Sequence, residues 1–102
     1  MAFVKAIRVA DLAPGKMHEL QIGGTEIAIA NVDGKFYAIN NTCIHQGGPL
    51  GEGDLAGKTV TCPWHGWEYD VTTGKEVQNP AAGVACYPTE VRGDELFVDV
   101  GN

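Results

Sequence analysis

Two short segments, each with one cysteine and one histidine, constrain what this chain can fold into more than any other feature. The first segment holds Cys43 and His45, the second holds Cys62 and His65, and sixteen residues separate His45 from Cys62. Glycine follows each histidine within three positions, which lets the backbone come close to a bound group. Thiolates and imidazoles are ligands that suit zinc and iron. The pattern C-x-H-x16-C-x2-H therefore predicts two loop tips that enclose one metal centre.

The length and charge of the chain argue against several classes of function. At 102 residues it is predicted to form a single domain over residues 1–102, with a metal-binding part at about 41–70. Its 7 basic and 13 acidic residues give a net charge of −6, whereas a nucleic-acid-binding protein needs a basic face. No apolar run approaches the ~20 residues of a membrane span, and the first residues lack the apolar core of a signal peptide. We therefore expect a cytoplasmic protein with neither a nucleic acid nor a membrane as partner.

Apolar and polar residues alternate with a period of two along most of the chain, which predicts an all-β fold. The sharpest signal is Asp33-Gly34 between two β-rich runs, since both residues of a tight hairpin turn need a positive φ. The stretch 43–57, with five glycines and a proline, is predicted to be irregular, and no helix is predicted. The predicted strands cover residues 3–10, 17–22, 25–32, 35–39, 58–61, 67–71, 84–91 and 96–100.

The four candidate ligands fit either of two kinds of metal site. A structural zinc ion is usually held by cysteines paired as C-x2-4-C and histidines paired as H-x3-5-H. Here each segment instead supplies one cysteine and one histidine, an interleaving that suits a binuclear cluster in which each loop reaches both metals. A zinc site of the Cys2His2 type stays open as the alternative at this point.

Residues 43–50 and 62–67 closely resemble the two cluster-binding boxes of Rieske-type proteins, and the likeness to soluble Rieske ferredoxins covers essentially the whole chain. The resemblance implies a Rieske-type antiparallel β sandwich or incomplete barrel with an inserted subdomain of two cluster-binding loops. It also implies one [2Fe–2S] cluster in which two histidines replace two cysteines on one iron. By the same resemblance, Cys43 and Cys62 hold the inner iron. His45 and His65 hold the outer, solvent-facing iron.

The likeness to ferredoxin components of bacterial aromatic-ring dioxygenases implies a one-electron carrier that is not itself an enzyme. The implied partners are a flavin-dependent reductase as donor and a terminal oxygenase as acceptor. The sequence shows no second Asp/His constellation for the substrate-binding iron of an oxygenase. The alternatives are a small Rieske subunit of an assimilatory nitrite reductase, with the large subunit as partner, and a structural zinc module.

Three positions depart from the high-potential Rieske proteins of respiratory complexes. Those proteins carry an extra cysteine in each box, joined as a disulfide, where this chain has Gly48 and Trp64. They also place a serine that donates a hydrogen bond to the cluster where this chain has Trp67. Fewer hydrogen bonds to sulfur leave an added electron less stabilised, so we expect a reduction potential of roughly −150 mV, at the low end of the Rieske range.

Residues near the ligands allow a structural and a functional interpretation. Trp64 is predicted either to shield the centre or to form an apolar docking tip, whereas Trp67 begins a strand and is expected in the core. Pro80, in an Asn-Pro dipeptide, either caps the centre as a third loop or forms a turn. Cys86 is the cysteine left over, and on its predicted strand we expect a small buried apolar residue.

Overall fold

Short antiparallel strands make up most of the structure, a computed structural model that describes residues 3–44, 47–64 and 66–101. Within those ranges there are ten strands and two single turns of 3-10 helix, at Val9–Asp11 and Leu50–Glu52. Within the described ranges, no helix has the length and apolar character needed to cross a membrane. The strands are β1 (Val4–Arg8), β2 (Met17–Ile22), β3 (Thr25–Val32), β4 (Lys35–Asn40), β5 (Asp54–Ala56), β6 (Thr59–Thr61), β7 (Glu68–Asp70), β8 (Cys86–Tyr87), β9 (Thr89–Arg92) and β10 (Glu95–Val98).

The ten strands form three antiparallel sheets, which confirms the predicted all-β class. One sheet has the order β1-β10-β9, and a second has the order β2-β3-β4-β8. The third sheet, β5-β6-β7, is smaller and lies along the chain between β4 and β8, which pair with each other in the second sheet. The small sheet is therefore an insertion into the larger framework, as the sequence predicts.

The β3–β4 hairpin is built as its sequence predicts. Asp33 and Gly34 form the turn with φ of 52° and 91°, and Val32 pairs with Lys35 across it. The side-chain oxygen of Asn31 accepts a hydrogen bond from the Gly34 amide at 2.8 Å, which fixes the turn locally. At the opposite end of this hairpin, β4 leads directly into the first Cys/His segment.

Successive residues of β3 face two different cores, because side chains on a strand alternate between its faces. Ile27 and Ile29 enter a core that the second sheet shares with the β1-β10-β9 sheet. Ala28 and Ala30 enter a second core that lies against the small sheet, and their small side chains let it pack closely. The buried residues of this second core are Ala28, Ala30, Ile39, Cys43, Leu50, Val60, Cys62, Tyr69 and Val71.

Two predicted segments differ from the structure. The stretch 43–57, predicted to be irregular, contains a 3-10 turn and strand β5, because β6 supplies β5 with an antiparallel partner. The strand predicted over 84–91 is divided into β8 and β9, which belong to different sheets. Pro88 lies at the division, where a residue without an amide hydrogen cannot continue a ladder.

The predicted burial of Cys86 is wrong, because this thiol is exposed. Cys86 lies on β8, a strand of two residues at the edge of the second sheet. Its sulfur lies 3.8 Å from the Thr72 carbonyl oxygen, at the rim of the fold. An edge position of this kind leaves one side of a side chain open to water.

Candidate metal centre

The first Cys/His segment lies in a loop whose backbone is hydrogen-bonded to itself. Thr42 and Pro49 form an isolated antiparallel bridge at its base. Between them, the Cys43 amide donates to the Gly48 carbonyl at 2.9 Å, and the Gly47 amide donates to the Cys43 carbonyl at 2.8 Å. Gly47 has a φ of 75°, a conformation that favours glycine. These bonds hold the backbone around Cys43 in a tight turn.

Asn41 anchors this loop to the framework. Its side-chain amide donates to Glu19 Oε2 at 2.7 Å, and its Oδ1 accepts a hydrogen bond from the Gly51 amide at 2.7 Å. Its backbone carbonyl accepts a further bond from the Leu50 amide at 2.7 Å. One buried asparagine therefore ties both sides of the loop together and connects them to β2.

The second Cys/His segment connects β6 and β7. Thr61 pairs with Glu68 at the last rung of this hairpin, and the Cys62 amide donates to the Trp67 carbonyl at 2.7 Å. Gly66 has a φ of 76° in the connection. Cys62 thus lies at the tip of a hairpin, as the sequence predicts.

Cys43 and Cys62 lie together beneath the two loops. Each is 2% exposed, and both belong to the second core. Burial raises the pKa of the Cys62 thiol, a backbone hydrogen bond from Trp64 opposes this, and hydrogen bonding to Cys43 and its charge raise the pKa further. Two thiols buried in one core are a pair of soft ligands that would bind a metal as thiolates by releasing their protons.

The two predicted histidine ligands, His45 and His65, lie outside the described residues, as does Gln46. Within the described part of the chain, no cluster of three or more His, Cys, Asp or Glu side chains is arranged to hold a metal ion. Of the four predicted ligands, the structure therefore describes the two cysteines. The assignment of the two histidines as ligands stays a prediction.

Gly48 leaves space for the sulfur of the opposite loop. A Cβ at this position would lie 2.6 Å from Cys62 Sγ and 3.2 Å from Trp64 Cβ, so any larger residue would press on both. Gly48 and Trp64 thus face each other across the two loops. This is the pair of positions at which the resemblance to respiratory Rieske proteins places a disulfide, and here neither residue can form one.

Tyr69 is a functional candidate that the sequence analysis did not single out. It is fully buried on β7, and its hydroxyl lies 3.1 Å from Cys43 Sγ. Because the hydroxyl oxygen accepts a hydrogen bond from the Ile44 amide at 3.2 Å, its own hydrogen is available to the sulfur. Burial and the contact with Cys43 raise the pKa of Tyr69, which keeps the hydroxyl protonated. The signal in the sequence was an inward-facing tyrosine on a strand after the second box, since a buried hydroxyl needs a partner.

The tryptophan and proline residues near the loops have distinct environments. Trp67 packs against the second core, in agreement with its predicted structural role. Trp64 is 49% exposed on the second loop. Pro80 is exposed. A groove beside Cys43 is bordered by the segment 83–85. That Pro80 caps the centre as a third loop stays a prediction, because His45 and His65 lie outside the described residues.

The donor set fits an iron–sulfur cluster. Two buried thiols lie in one core, glycine at position 48 keeps the space around the Cys62 sulfur open, and a hydroxyl faces the Cys43 sulfur. Hydrogen bonds to cysteine sulfur stabilise the more negative, reduced form of such clusters, so Tyr69 would raise the reduction potential of a cluster held by Cys43. The prediction of a low reduction potential was based on the absent serine and did not include the hydrogen bond from the Tyr69 hydroxyl.

Comparisons with known proteins place the chain in a family. A family model for the Rieske [2Fe-2S] domain matches residues 2–88. The ferredoxin component of the biphenyl 2,3-dioxygenase of Rhodococcus jostii (strain RHA1) is 36% identical over 101 residues, covering 98% of this chain and 94% of that relative.

Solved structures agree with this assignment. The ferredoxin of carbazole 1,9a-dioxygenase from Nocardioides aromaticivorans IC177 superposes with a TM-score of 0.89 at 27% identity, over 96% of this chain and 97% of that one. The ferredoxin in a complex of reduced oxygenase and oxidized ferredoxin of carbazole 1,9a-dioxygenase gives a TM-score of 0.86 at 31% identity, over 94% of this chain and 91% of that one. This chain is therefore a member of the Rieske [2Fe-2S] domain family.

Proposed function

We propose that this protein is a soluble one-electron carrier with one Rieske-type [2Fe–2S] cluster, and not an enzyme in itself. The observation that carries the proposal is the pair of buried thiols, Cys43 and Cys62, which two loops bring into one core in a chain of the Rieske family. The family match favours a two-iron cluster over a single zinc ion, the alternative that the spacing alone left open.

The proposed ligands are Cys43 and Cys62 on one iron and His45 and His65 on the other. When bound, a cluster of this type accepts and releases a single electron, and its neutral histidine ligands raise its potential above that of all-cysteine clusters. The residues of the chain hold the thiolates away from water. Tyr69 donates a hydrogen bond to one of them, which stabilises added negative charge at that sulfur.

The proposed partners are a flavin-dependent reductase as electron donor and a terminal oxygenase as acceptor. Support comes from the relatives, which are named as ferredoxin components of dioxygenases, and from the solved complex of an oxygenase with its ferredoxin. These names favour a dioxygenase system over an assimilatory nitrite reductase. We further propose that the protein acts in the cytoplasm as a single domain over residues 1–102, with the cluster-binding part at about 41–70, the range that contains both loops and β5–β7.

Purified protein tests the proposal directly. We expect two iron atoms per chain, a red-brown colour and, after reduction, an EPR spectrum with an average g value below that of plant-type ferredoxins. A reductase of a dioxygenase system with NADH should reduce it, and the matching oxygenase should reoxidise it in stopped-flow experiments. A colourless protein with one zinc ion per chain would contradict the proposal.

Individual substitutions test the ligand assignment. His45→Cys and His65→Cys should shift the spectrum of any retained cluster toward the plant type and lower its potential, because thiolate adds negative charge where imidazole is neutral. His18→Cys is the matched control outside the two loops and should leave the Rieske spectrum as it is. An unchanged spectrum in both ligand variants would refute the assignment.

A further inference from the structure

The strand β9 forms an open edge of the β1-β10-β9 sheet. Within the described part of the chain, β10 is its only strand partner. Most of β9 is exposed, and the side chain of Val91 is 50% exposed. The opposite edge, β1, has an irregular register between Lys5 and Ile7, whereas β9 pairs with β10 in an unbroken register. An irregularity of this kind blunts an edge against further pairing, and β9 does not have that protection.

The open edge of β9 presents backbone hydrogen-bonding groups. Arg92 and Glu95 pair on either side of the two-residue turn 93–94, and Gly93 has the positive φ of 64° that such a turn requires. The pair next to a two-residue turn exchanges its backbone hydrogen bonds, and hydrogen-bonded pairs alternate along antiparallel strands. Val91 is the next residue along, so its amide and carbonyl point away from β10. A further strand can bond to both groups.

The side chains of β9 have a charge pattern that complements itself. Glu90 and Arg92 lie on one face of the strand, are about half exposed and form an ion pair with each other. The Arg92 guanidinium also lies over the Phe97 ring at 4.6 Å, which holds it on this face. Val91, between them, points to the other face. In an antiparallel copy the order acid, valine, base runs in reverse, so each charge lies opposite its counterion.

A second copy of the chain meets little repulsion at this sheet. Its three strands and the turn between β9 and β10 contain three basic and three acidic residues, namely Lys5, Arg8, Arg92, Glu90, Asp94 and Glu95. This part of the chain is therefore neutral, whereas the whole chain has a net charge of −6. Like charges repel two copies over most of their surface, and a neutral sheet edge is a place where they can approach.

We propose that two copies of this chain pair along β9 as antiparallel strands. Val91 of one copy lies opposite Val91 of the second copy, and the two exchange N–H···O=C hydrogen bonds. On either side of this pair, Glu90 of one copy faces Arg92 of the other. The two sheets then form one sheet of six strands, in the order β1-β10-β9-β9-β10-β1. The core beneath the β1-β10-β9 sheet contains neither Cys43 nor Cys62, so the pairing does not involve the centre of the metal site.

The charge pattern selects this register and a second copy as the occupant. An edge strand that is protected against pairing carries charges of one sign, which repel any copy of itself. Here two signs flank a valine, and shifting the register by one residue would place Glu90 opposite Val91 and lose both ion pairs. The paired strip is short, about five residues from each copy. We therefore expect a weak dimer with a dissociation constant on the order of 100 µM.

Sedimentation velocity over a range of protein concentrations tests the pairing. The weight-average mass of wild type should rise from that of one chain toward twice that value, because dimerisation follows mass action. Amide hydrogen exchange followed by NMR reports where the copies meet. Exchange at Val91 should slow as the concentration rises. Exchange at Glu90 should not change, since its amide bonds to β10 in the single chain as well.

Charge reversal tests the register. Glu90→Lys makes both charges of the strand positive and Arg92→Glu makes both negative, so in each variant like charges face each other across the strands. We expect each variant alone to dissociate at least tenfold more readily than wild type. An equal mixture of the two should form heterodimers about as stable as the wild-type dimer, because every acidic side chain then meets a basic one.

Glu26→Lys is the matched control. It changes the net charge by the same amount as Glu90→Lys, but at an exposed position on β3, in the other large sheet. It should dimerise at least as well as wild type, since it lowers the net negative charge without touching β9. Far-UV circular dichroism and thermal unfolding show whether Arg92→Glu, which loses its place over the Phe97 ring, still folds.

Wild type that stays monomeric at the highest concentration would overturn the inference. So would reversal variants that dimerise as wild type does, or a mixture of the folded variants that stays monomeric, since both would place any dimer contact elsewhere. If Arg92→Glu fails to fold, Glu90→Lys and the exchange rate at Val91 still decide the question. A dimer in which exchange at Val91 does not depend on concentration would likewise contradict pairing along β9.

Discussion

The surroundings of the two cysteine sulfurs depend on single residues from other parts of the chain. Gly48 of the first loop leaves space beside Cys62 of the second, and Tyr69 of β7 places its hydroxyl beside Cys43. Neither residue is a proposed ligand. Both lie within a few ångströms of a proposed ligand. Gly48 has no side chain to fill the space beside Cys62, and Tyr69 brings one oxygen atom to the sulfur of Cys43.

Removing the Tyr69 hydroxyl should lower the reduction potential. A hydrogen bond worth about 1 kcal/mol more in the reduced state corresponds to roughly 40 mV for a one-electron couple, so Tyr69→Phe should shift the midpoint down by about that amount. A redox titration followed by EPR measures it. Tyr37→Phe, a partly buried tyrosine on β4, is the control and should leave the midpoint unchanged. Equal midpoints for Tyr69→Phe and wild type would show that the hydroxyl does not interact with the sulfur.

Adding one methyl group at position 48 should reduce cluster content. In Gly48→Ala the new Cβ would lie 2.6 Å from Cys62 Sγ, an overpacked contact that costs about 2 kcal/mol unless the loops separate. Iron and sulfide analysis of the purified protein should give a lower ratio to protein than in wild type.

Gly93→Ala separates this contact from simple backbone strain. Gly93 has a φ of 64° and nothing near its missing Cβ, so alanine there costs about 1 kcal/mol of stability without touching the cluster. Full cluster content in Gly48→Ala, or an equal loss in both variants, would contradict the proposed role of the space at Gly48.

The strands next to the two loops fix where the loops lie. β4 carries the chain from the hairpin turn to the first loop, and β6 and β7 form the hairpin that presents the second. Asn41, at the point where β4 ends, joins the far side of the first loop to Glu19 on β2. The geometry of the centre therefore depends on contacts made several residues away from any proposed ligand.

Replacing this asparagine should destabilise the protein and loosen the first loop. Asn41→Ala leaves the Gly51 amide without its acceptor and the Glu19 carboxylate without its donor, at a cost of about 2 kcal/mol in the free energy of unfolding. Urea denaturation measures the loss, and hydrogen exchange at Gly51 should become faster. Gln21→Ala, on the exposed face of β2, should change stability by less than about 0.5 kcal/mol. A similar loss in both variants would assign the effect to β2 as a whole.

At the scale of the whole molecule, two cores divide the structure. The first core lies between the two larger sheets, and both cysteines belong to the second, beneath the inserted small sheet. A cluster held by Cys43 and Cys62 would cross-link the two loops within that second core. The first core contains neither cysteine, whereas Ala28, Ala30 and Ile39 of the second sheet pack in the second core with both of them.

Removal of the cluster should therefore loosen one part of the molecule selectively. After iron is removed with a chelator under reducing conditions, amide hydrogen exchange should become faster across residues 41–70 and stay slow in β1, β9 and β10. Mass spectrometry of peptides from the exchanged protein resolves the two regions. Uniformly faster exchange would mean that the two cores unfold as one unit, and uniformly slow exchange would mean that the cluster adds no stability.

Features of local origin were predictable from the sequence. The β3–β4 hairpin follows from Asp33-Gly34, and the second hairpin tip follows from the short strands on either side of Cys62. Features that depend on distant pairing were not: β5 forms in a glycine-rich stretch because β6 lies next to it, and Cys86 is exposed because β8 ends at a sheet edge. Periodicity along a chain reports which face a residue is on, but not whether anything covers that face.

The sequence by itself determined the family and the types and spacing of the proposed ligands, because two boxes of fixed residue order are a local property of the chain. It also determined that no disulfide joins Gly48 and Trp64. Only the tertiary structure decided that Cys43 and Cys62 meet in one core and that Tyr69 reaches a sulfur from 26 positions along the chain. The physical reason is that these contacts join segments far apart in sequence, which only the packing of the small sheet against the framework brings within a few ångströms of each other.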